Sequence, residues 1–117
     1  MYQVMNNFRV ANGTHFVGLV EATYEELRQT FGKPLTAAGD DKTRAEWVVL
    51  FDTEEGDVVA TVYDWKCQDI PLEQVKIWNV GGKSIDALIQ IEDAVRFTRD
   101  MNAHDDEQAR QWELSYE

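Results

Sequence analysis

The segment VKIWNVGGKS, residues 75–84, holds the residue types that grip phosphate: Gly81, Gly82, Lys83 and Ser84, set between a strand-like run and a helix-like run. A phosphate-binding loop of the P-loop kind needs a further glycine five residues before Gly82, so that backbone amides can curl toward the phosphate. Ile77 stands there, inside the apolar run. The run VVLFD, residues 48–52, resembles a strand ending in a magnesium-binding aspartate, but it precedes the glycines and leads into a hairpin turn. Such folds also need long crossovers between parallel strands, for which the chain has no room. Nucleotide hydrolysis is therefore not expected. One reading is structural: Gly81 and Gly82 turn the chain, and Ser84 caps the next helix. The alternative is a nucleotide-like anion held by Lys83 and the backbone amides at that helix start, which would make the protein a small-ligand binder or sponge.

The other chemistry-bearing residues are sparse or badly spaced. DTEEGD, residues 52–57, spaces carboxylates somewhat like a calcium loop. Its glycine falls at position five instead of six, and no glutamate closes the loop at position twelve. It reads as a solvated hairpin tip. Asp64 interrupts an apolar strand between Tyr63 and Trp65. There it is a candidate base, a salt-bridge partner for Lys66 or Lys76, or a charge that protects a strand edge. The single cysteine, Cys67, and the two histidines, His15 and His104, build no disulfide framework, zinc site or nucleophile–base pair. The sequence predicts no catalytic residue, no metal and no cofactor, and so a non-enzymatic protein.

These residues must be held by a handful of elements. Residues 12–22 read as a turn leading into a strand, with Phe16, Val17, Leu19 and Val20 apolar. Thr23 with Glu26 three residues on makes a capping box, and Tyr24, Leu27 and Phe31 share a helical face. Gly32 and Pro34 stop that helix, predicted at 24–31. Residues 36–44 are a polar loop. AEWVVLFD alternates, with Trp47, Val49 and Phe51 on one face. After the hairpin turn, VVATVYDWK returns with Val59, Thr61, Tyr63 and Trp65 on one face and Val58, Ala60 and Val62 on the other. VKIWNV is a further strand, and an amphipathic helix runs from about Ile85 to Asn102. The order β-α-β-β-β-α predicts an α+β fold, an antiparallel sheet with helices on one face and the other face partly open. Residues 1–102 form one domain, and residues 103–117 an acidic tail or short helix.

Length and composition fit one self-sufficient core: 117 residues, 44% apolar, 4 Trp, 4 Tyr and 5 Phe. No run reaches the roughly 18 apolar residues of a membrane helix, and no signal peptide is legible, so the expected location is the cytoplasm. The formal net charge of −11 repels nucleic acid and anionic lipid and attracts basic proteins. Residues 1–20 hold no acid, whereas residues 100–117 hold six acids and a single base, Arg110. Trp112, Leu114 and Tyr116 in that segment are apolar enough to suggest docking. Both faces of the central strands carry aromatics, so Trp47 and Trp65 are candidate partner contacts.

Six short motifs recur in order along residues 12–90: Asn-Gly-Thr, Thr-Tyr-x-x-Leu, Phe-Gly-x-Pro, Glu-Trp, Tyr-Asp-Trp-Lys and Trp-x-x-Gly-Gly. In this the chain resembles a family of small uncharacterised proteins encoded in bacteriophage genomes. The helix, Phe-Gly-x-Pro and meander plan more loosely resembles β-lactamase inhibitor protein and small outer-membrane-assembly lipoproteins, which are binding modules. The resemblance implies a phage origin, action inside the host cell and no assigned reaction. The expected function is occlusion of a host or defence protein, of anti-CRISPR or anti-restriction type, by an acidic, partly DNA-mimicking surface. The expected partner is a basic nuclease or CRISPR effector, with Asp105, Asp106 and Glu107 steering and Trp112, Trp65 and Trp47 anchoring. A dimerising accessory protein that pairs through an exposed sheet edge is the further alternative.

Overall fold

A computed structural model describes residues 2–7, 9–35, 45–64 and 70–115, with side chains described as far as residue 103. The elements are β1 (Tyr2–Met5), a 3-10 turn at Arg9–Ala11, β2 (His15–Glu21), α1 (Tyr24–Phe31), β3 (Glu46–Thr53), β4 (Gly56–Tyr63), a 3-10 turn at Leu72–Gln74, β5 (Ile77–Gly82) and α2 (Asp86–Ser115). The five strands form one antiparallel sheet in the order β1-β3-β4-β5-β2. The fold is α+β, as the element order predicts. β1 is an addition to that order: four residues without an alternating pattern, YQVM, extend the sheet beside β3.

α1 starts where its caps dictate. Thr23 Oγ1 accepts from the Glu26 N–H at 3.0 Å, and Glu26 Oε1 accepts from the Thr23 N–H at 2.9 Å. Each bond satisfies a donor that the first helical turn would leave without a partner. The helix stops at Gly32, whose φ of 84° only glycine takes at no cost and whose N–H donates to Arg28 O at 2.8 Å.

Both helices lie on one face of the sheet. Cross-strand register places Trp47 opposite Val62, Val49 opposite Ala60 and Phe51 opposite Val58. These side chains, with Trp78, Val80 and Val20, meet Leu27 and Phe31 of α1 and Ala87, Ile91 and Val95 of α2 in a single core. Two tryptophans sit at its centre with rings edge-on at 5.5 Å, and Tyr24 stacks on Trp78. Each indole N–H finds a carbonyl: Trp47 donates to Gly32 O at 2.8 Å and Trp78 to Ala22 O at 3.0 Å. Burial of a tryptophan removes roughly 200 Å² from water, about 5 kcal/mol of transfer free energy before entropy, and the two bonds stop the polar tips from offsetting it.

The second face is covered differently. The chain leaves β1 at one sheet edge and re-enters at β2 on the other, so the connection, described at residues 6, 7 and 9–14, crosses the strands, and the 3-10 turn at Arg9–Ala11 packs on β3 and β4. This crossover lies on the side of Val48, Val59 and Thr61, all of them buried although neither described helix packs there.

α2 corrects the expected break after Asn102. It runs as one helix to Ser115, 30 residues and about 45 Å long. No described helix is long and apolar enough to cross a membrane.

Candidate functional site

The described part of the crossover packs on the half of the second face nearest the hairpin tip. Register defines the rest. Glu46 pairs with Tyr63, Tyr63 with Asn79, and Asn79 with Leu19, a row of four neighbours across β3, β4, β5 and β2. Glu21 and Ile77 pair in the adjoining position of the same face. Phe16, opposite Gly81, closes the patch toward the crossover. Phe16, Leu19 and Ile77 are 56%, 53% and 57% exposed, which leaves three large apolar side chains in water on one corner of the sheet.

A bulge builds this corner. In a regular strand Phe16 and Leu19, three apart, would point to opposite faces. The register of β2 against β5 shifts between Phe16 and Gly18, with Val17 as the extra residue. The extra residue brings Phe16 and Leu19 to the same side. Gly18 then faces α2, where a Cβ would press into the Leu88 side chain at 2.6 Å.

The patch is acidic at its margins. Among the described residues, the charged ones on it are Glu21 and Glu46. Burial raises the Tyr63 hydroxyl above its ordinary value, and the Glu46 carboxylate beside it adds to the shift.

The backbone edge beside the patch is guarded. The Ala22 N–H donates to Lys76 O at 2.9 Å, so alternation turns the N–H and C=O of Glu21 and Leu19 away from β5. The Glu21 carbonyl accepts from Arg99 Nη2 at 3.0 Å, while the same guanidinium grips Glu26 through Nε at 2.8 Å and Nη2 at 3.2 Å. With Arg99 at one end and the bulge at the other, the outward edge between them reduces to Leu19. That is too short a run to template an added strand, so edge pairing, the basis of the dimerising alternative, has little to work with on β2.

The residues expected to hold an anion lie elsewhere and do a different job. Gly81 and Gly82 are not a turn. They are the last two residues of β5, paired with Thr61 and Ala60 on one side and with Phe16 and His15 on the other. They are glycine because neighbours come close: a Cβ on Gly81 would stand 2.5 Å from Thr61 Oγ1, and one on Gly82 would overlap the Ala87 Cβ of α2. Ser84 does cap, its Oγ accepting from the Asp86 N–H at 3.3 Å. Lys83 is exposed, on an open cleft of about 880 Å³ between the Arg9–Ala11 turn, the hairpin tip and the start of α2. Arg9 shares that lining, but so do Glu54, Glu55, Asp57 and Asp86, which make the cleft a poor host for an anion.

Trp47 also moves. Expected at a partner surface, it is fully buried on the helix-covered face, because its register partner Val62 sits under the helices. Trp65 lies outside the described residues. Asp105, Asp106, Glu107 and Trp112 lie on the C-terminal part of α2, and their side chains are outside the described set. Asp64 is no exposed edge charge: it is 1% exposed, and its Oδ1 accepts from the Ala45 N–H at 2.9 Å, fastening the entry of β3 to the end of β4. Among the described residues no cluster of histidine, cysteine, aspartate or glutamate could hold a metal ion. Sequence reasoning passed over Phe16, Leu19 and Ile77 as contact residues. The available signal was that β2 is apolar on both faces while residues 1–20 lack any acid.

No known family, curated protein or solved structure matches the chain.

Proposed function

We propose that the chain is a non-enzymatic binding protein that occludes a basic protein, of the kind a phage would direct against a host nuclease or CRISPR effector. The observation that carries this reading is the open corner of the sheet, where Phe16, Leu19 and Ile77 stand exposed together. Scattered apolar residues are ordinary on a surface, but a contiguous group on a flat sheet marks a place that another molecule covers. The charge of −11 selects a positive partner and speeds its approach, while the apolar corner supplies the holding energy. The acid-rich segment 100–117 adds to the steering field.

The test is binding to a panel of purified basic nucleases and DNA-binding effectors at rising ionic strength. At least one should bind, compete with its DNA, and lose on-rate as salt rises. Indifference to salt, or binding that leaves DNA access intact, refutes the reading.

A further inference from the structure

We propose that Asn12 is a site of self-modification. The backbone nitrogen of Gly13 attacks the Asn12 carboxamide, assisted by the Lys83 ammonium beside the turn, and Asn12 becomes aspartate or isoaspartate. This inference concerns the crossover and not the open corner, so it stands or falls independently of the binding reading above.

Asn12-Gly13 is the sole Asn-Gly pair of the chain. Glycine exposes its nitrogen to such an attack, because it carries no Cβ to block the approach and moves freely in φ. A hydrogen bond on the glycine N–H or on the carboxamide would protect the pair. Both residues are exposed, and among the described residues neither the Gly13 N–H nor the Asn12 carboxamide has a hydrogen-bond partner. The φ of 85° at Gly13 keeps glycine at this position. Lys83 supplies what the sequence does not show. A Cβ built on Gly13 would lie 3.8 Å from Lys83 Cε, so the ammonium stands beside the peptide whose nitrogen must lose its proton. A neighbouring cation favours that anionic nitrogen. Arg9, Glu54, Glu55, Asp57 and Asp86 line the same cleft, but the contact on Gly13 is made by Lys83.

The Gly13 nitrogen gives its proton to solvent hydroxide and bonds to Asn12 Cγ. The carboxamide nitrogen takes up a proton and leaves as ammonia, closing a succinimide ring. Water then opens the ring at either carbonyl. Breaking the new Cγ–N bond gives aspartate. Breaking the original bond from the Asn12 carbonyl carbon to the Gly13 nitrogen gives isoaspartate, with the main chain rerouted through Cβ and Cγ. The sum is asparagine and water to acid and ammonia, with nothing oxidised or reduced. The products differ in effect. Aspartate sets a carboxylate near Lys83 and leaves the backbone as it was. Isoaspartate inserts a methylene between Ala11 and Thr14, whose N–H and Oγ1 both donate to Ala11 O, at 3.1 and 2.7 Å. The turn can no longer close in that way, and the crossover loosens over Val48, Val59 and Thr61.

The test incubates the full chain in mildly alkaline buffer of low salt, folded and, in parallel, unfolded in urea. The tryptic fragment 10–28 is then compared with synthetic standards carrying asparagine, aspartate or isoaspartate at position 12. The folded parent should convert at Asn12 before Asn6, Asn7, Asn79 or Asn102. Lys83→Gln should slow the folded chain about two- to five-fold, the effect of one exposed charge, and leave the rate in urea unchanged. Lys83→Arg should keep the parental rate, and added salt should narrow the difference between parent and Lys83→Gln. Asn12→Gln changes an exposed position, so it should melt as the parent does and show no conversion there. The isoaspartyl form, separated by chromatography, should exchange the Val48, Val59 and Thr61 amides several-fold faster than the aspartyl form. Asn12 intact in the folded chain while it reacts in urea, a Lys83→Gln protein that converts at the parental rate in low salt, or an isoaspartyl form that exchanges like the aspartyl one, each overturns the inference.

Discussion

Alanine at Gly82 separates a glycine kept for packing from one kept for a ligand. A Cβ built there overlaps the Ala87 Cβ and lies 3.4 Å from both Ser84 O and Val59 O. None of these can yield cheaply. The Ala87 methyl has no rotamer to change, Val59 O belongs to β4, and Ser84 O holds the Ala87 N–H at 3.2 Å in the first turn of α2. The helix start must lift off the sheet, the kind of overpacking that costs about 1–3 kcal/mol. With an unfolding entropy of about 2.1 cal/mol/K per residue, a cost of about 2 kcal/mol lowers the melting temperature of a chain this size by roughly 8 °C. Ala87→Gly alone should cost about 1 kcal/mol through helix propensity and the lost methyl, or roughly 4 °C. The pair Gly82→Ala with Ala87→Gly should melt near the Ala87→Gly single variant, because the added methyl occupies the space of the removed one. Calorimetry on the four proteins measures a coupling of about 2 kcal/mol in favour of the pair. A Gly82→Ala protein within about 2 °C of the parent, or strict additivity in the pair, refutes the close-approach argument. A glycine kept for phosphate would behave differently: no coupling to Ala87, and loss of a nucleotide-induced rise in melting temperature.

Trp78→Phe removes the indole N–H that donates to Ala22 O and part of the ring between Tyr24 and Trp47, and urea denaturation should register a loss of about 2–3 kcal/mol. Asp64→Ala strands the buried Ala45 N–H and should cost about 1–3 kcal/mol by the same measurement, while Asp64→Asn, which keeps an acceptor oxygen, should cost less. The Glu26 carboxyl lies below its usual 4.5 because Arg99 hydrogen-bonds its charged form, against the opposing effect of burial. A depressed carboxyl stabilises the fold above its unfolded value and loses that contribution as pH falls through its folded value, so stability should begin to drop as pH falls toward 4.5 and continue below it. Arg99→Gln should flatten that part of the pH–stability curve and raise the Glu26 midpoint in a carbon-detected NMR titration. Neutralising Asp105, Asp106 and Glu107 to their amides should slow association with a basic partner several-fold at low salt and leave dissociation unchanged in stopped-flow, the separation expected of steering charges.

What the sequence discloses divides by physical range. The capping box, the Gly32 stop and the β3–β4 hairpin are settled within a few residues of themselves, so Thr23, Glu26 and Gly32 announce α1 without help from the rest of the chain. The alternation in EWVVLF and VVATVY likewise places Trp47 and Val62 on one face from local pattern. Which face the helices cover is a tertiary matter, and that is why Trp47 reads as an anchor in the chain and as core in the fold. β1 escapes for a related reason. Four residues carry too little pattern, and Tyr2 is held by remote partners: its ring meets Phe31 and Phe51, and its hydroxyl donates to Thr30 O at 2.8 Å. Gly-Gly misleads because a turn and a close approach both call for glycine, and only the position of Ala87, brought back by α2, separates the two.

The open corner is the hardest part to foresee, and the bulge explains it. Counting by twos along β2 sends Phe16 to one face and Leu19 to the other, each to be absorbed separately. Val17, one residue out of step against β5, sums them on the same side. The same irregularity turns Gly18 toward Leu88 and shortens the edge on which another strand could grow. A single extra residue thus concentrates apolar surface on the face while disarming the adjacent edge. Under the proposed binding role the two properties belong together, an apolar face for a partner beside an edge that does not recruit further strands. Arg99 completes the arrangement from the far end of the strand, since the guanidinium that fastens α2 to the cap of α1 also occupies the Glu21 carbonyl.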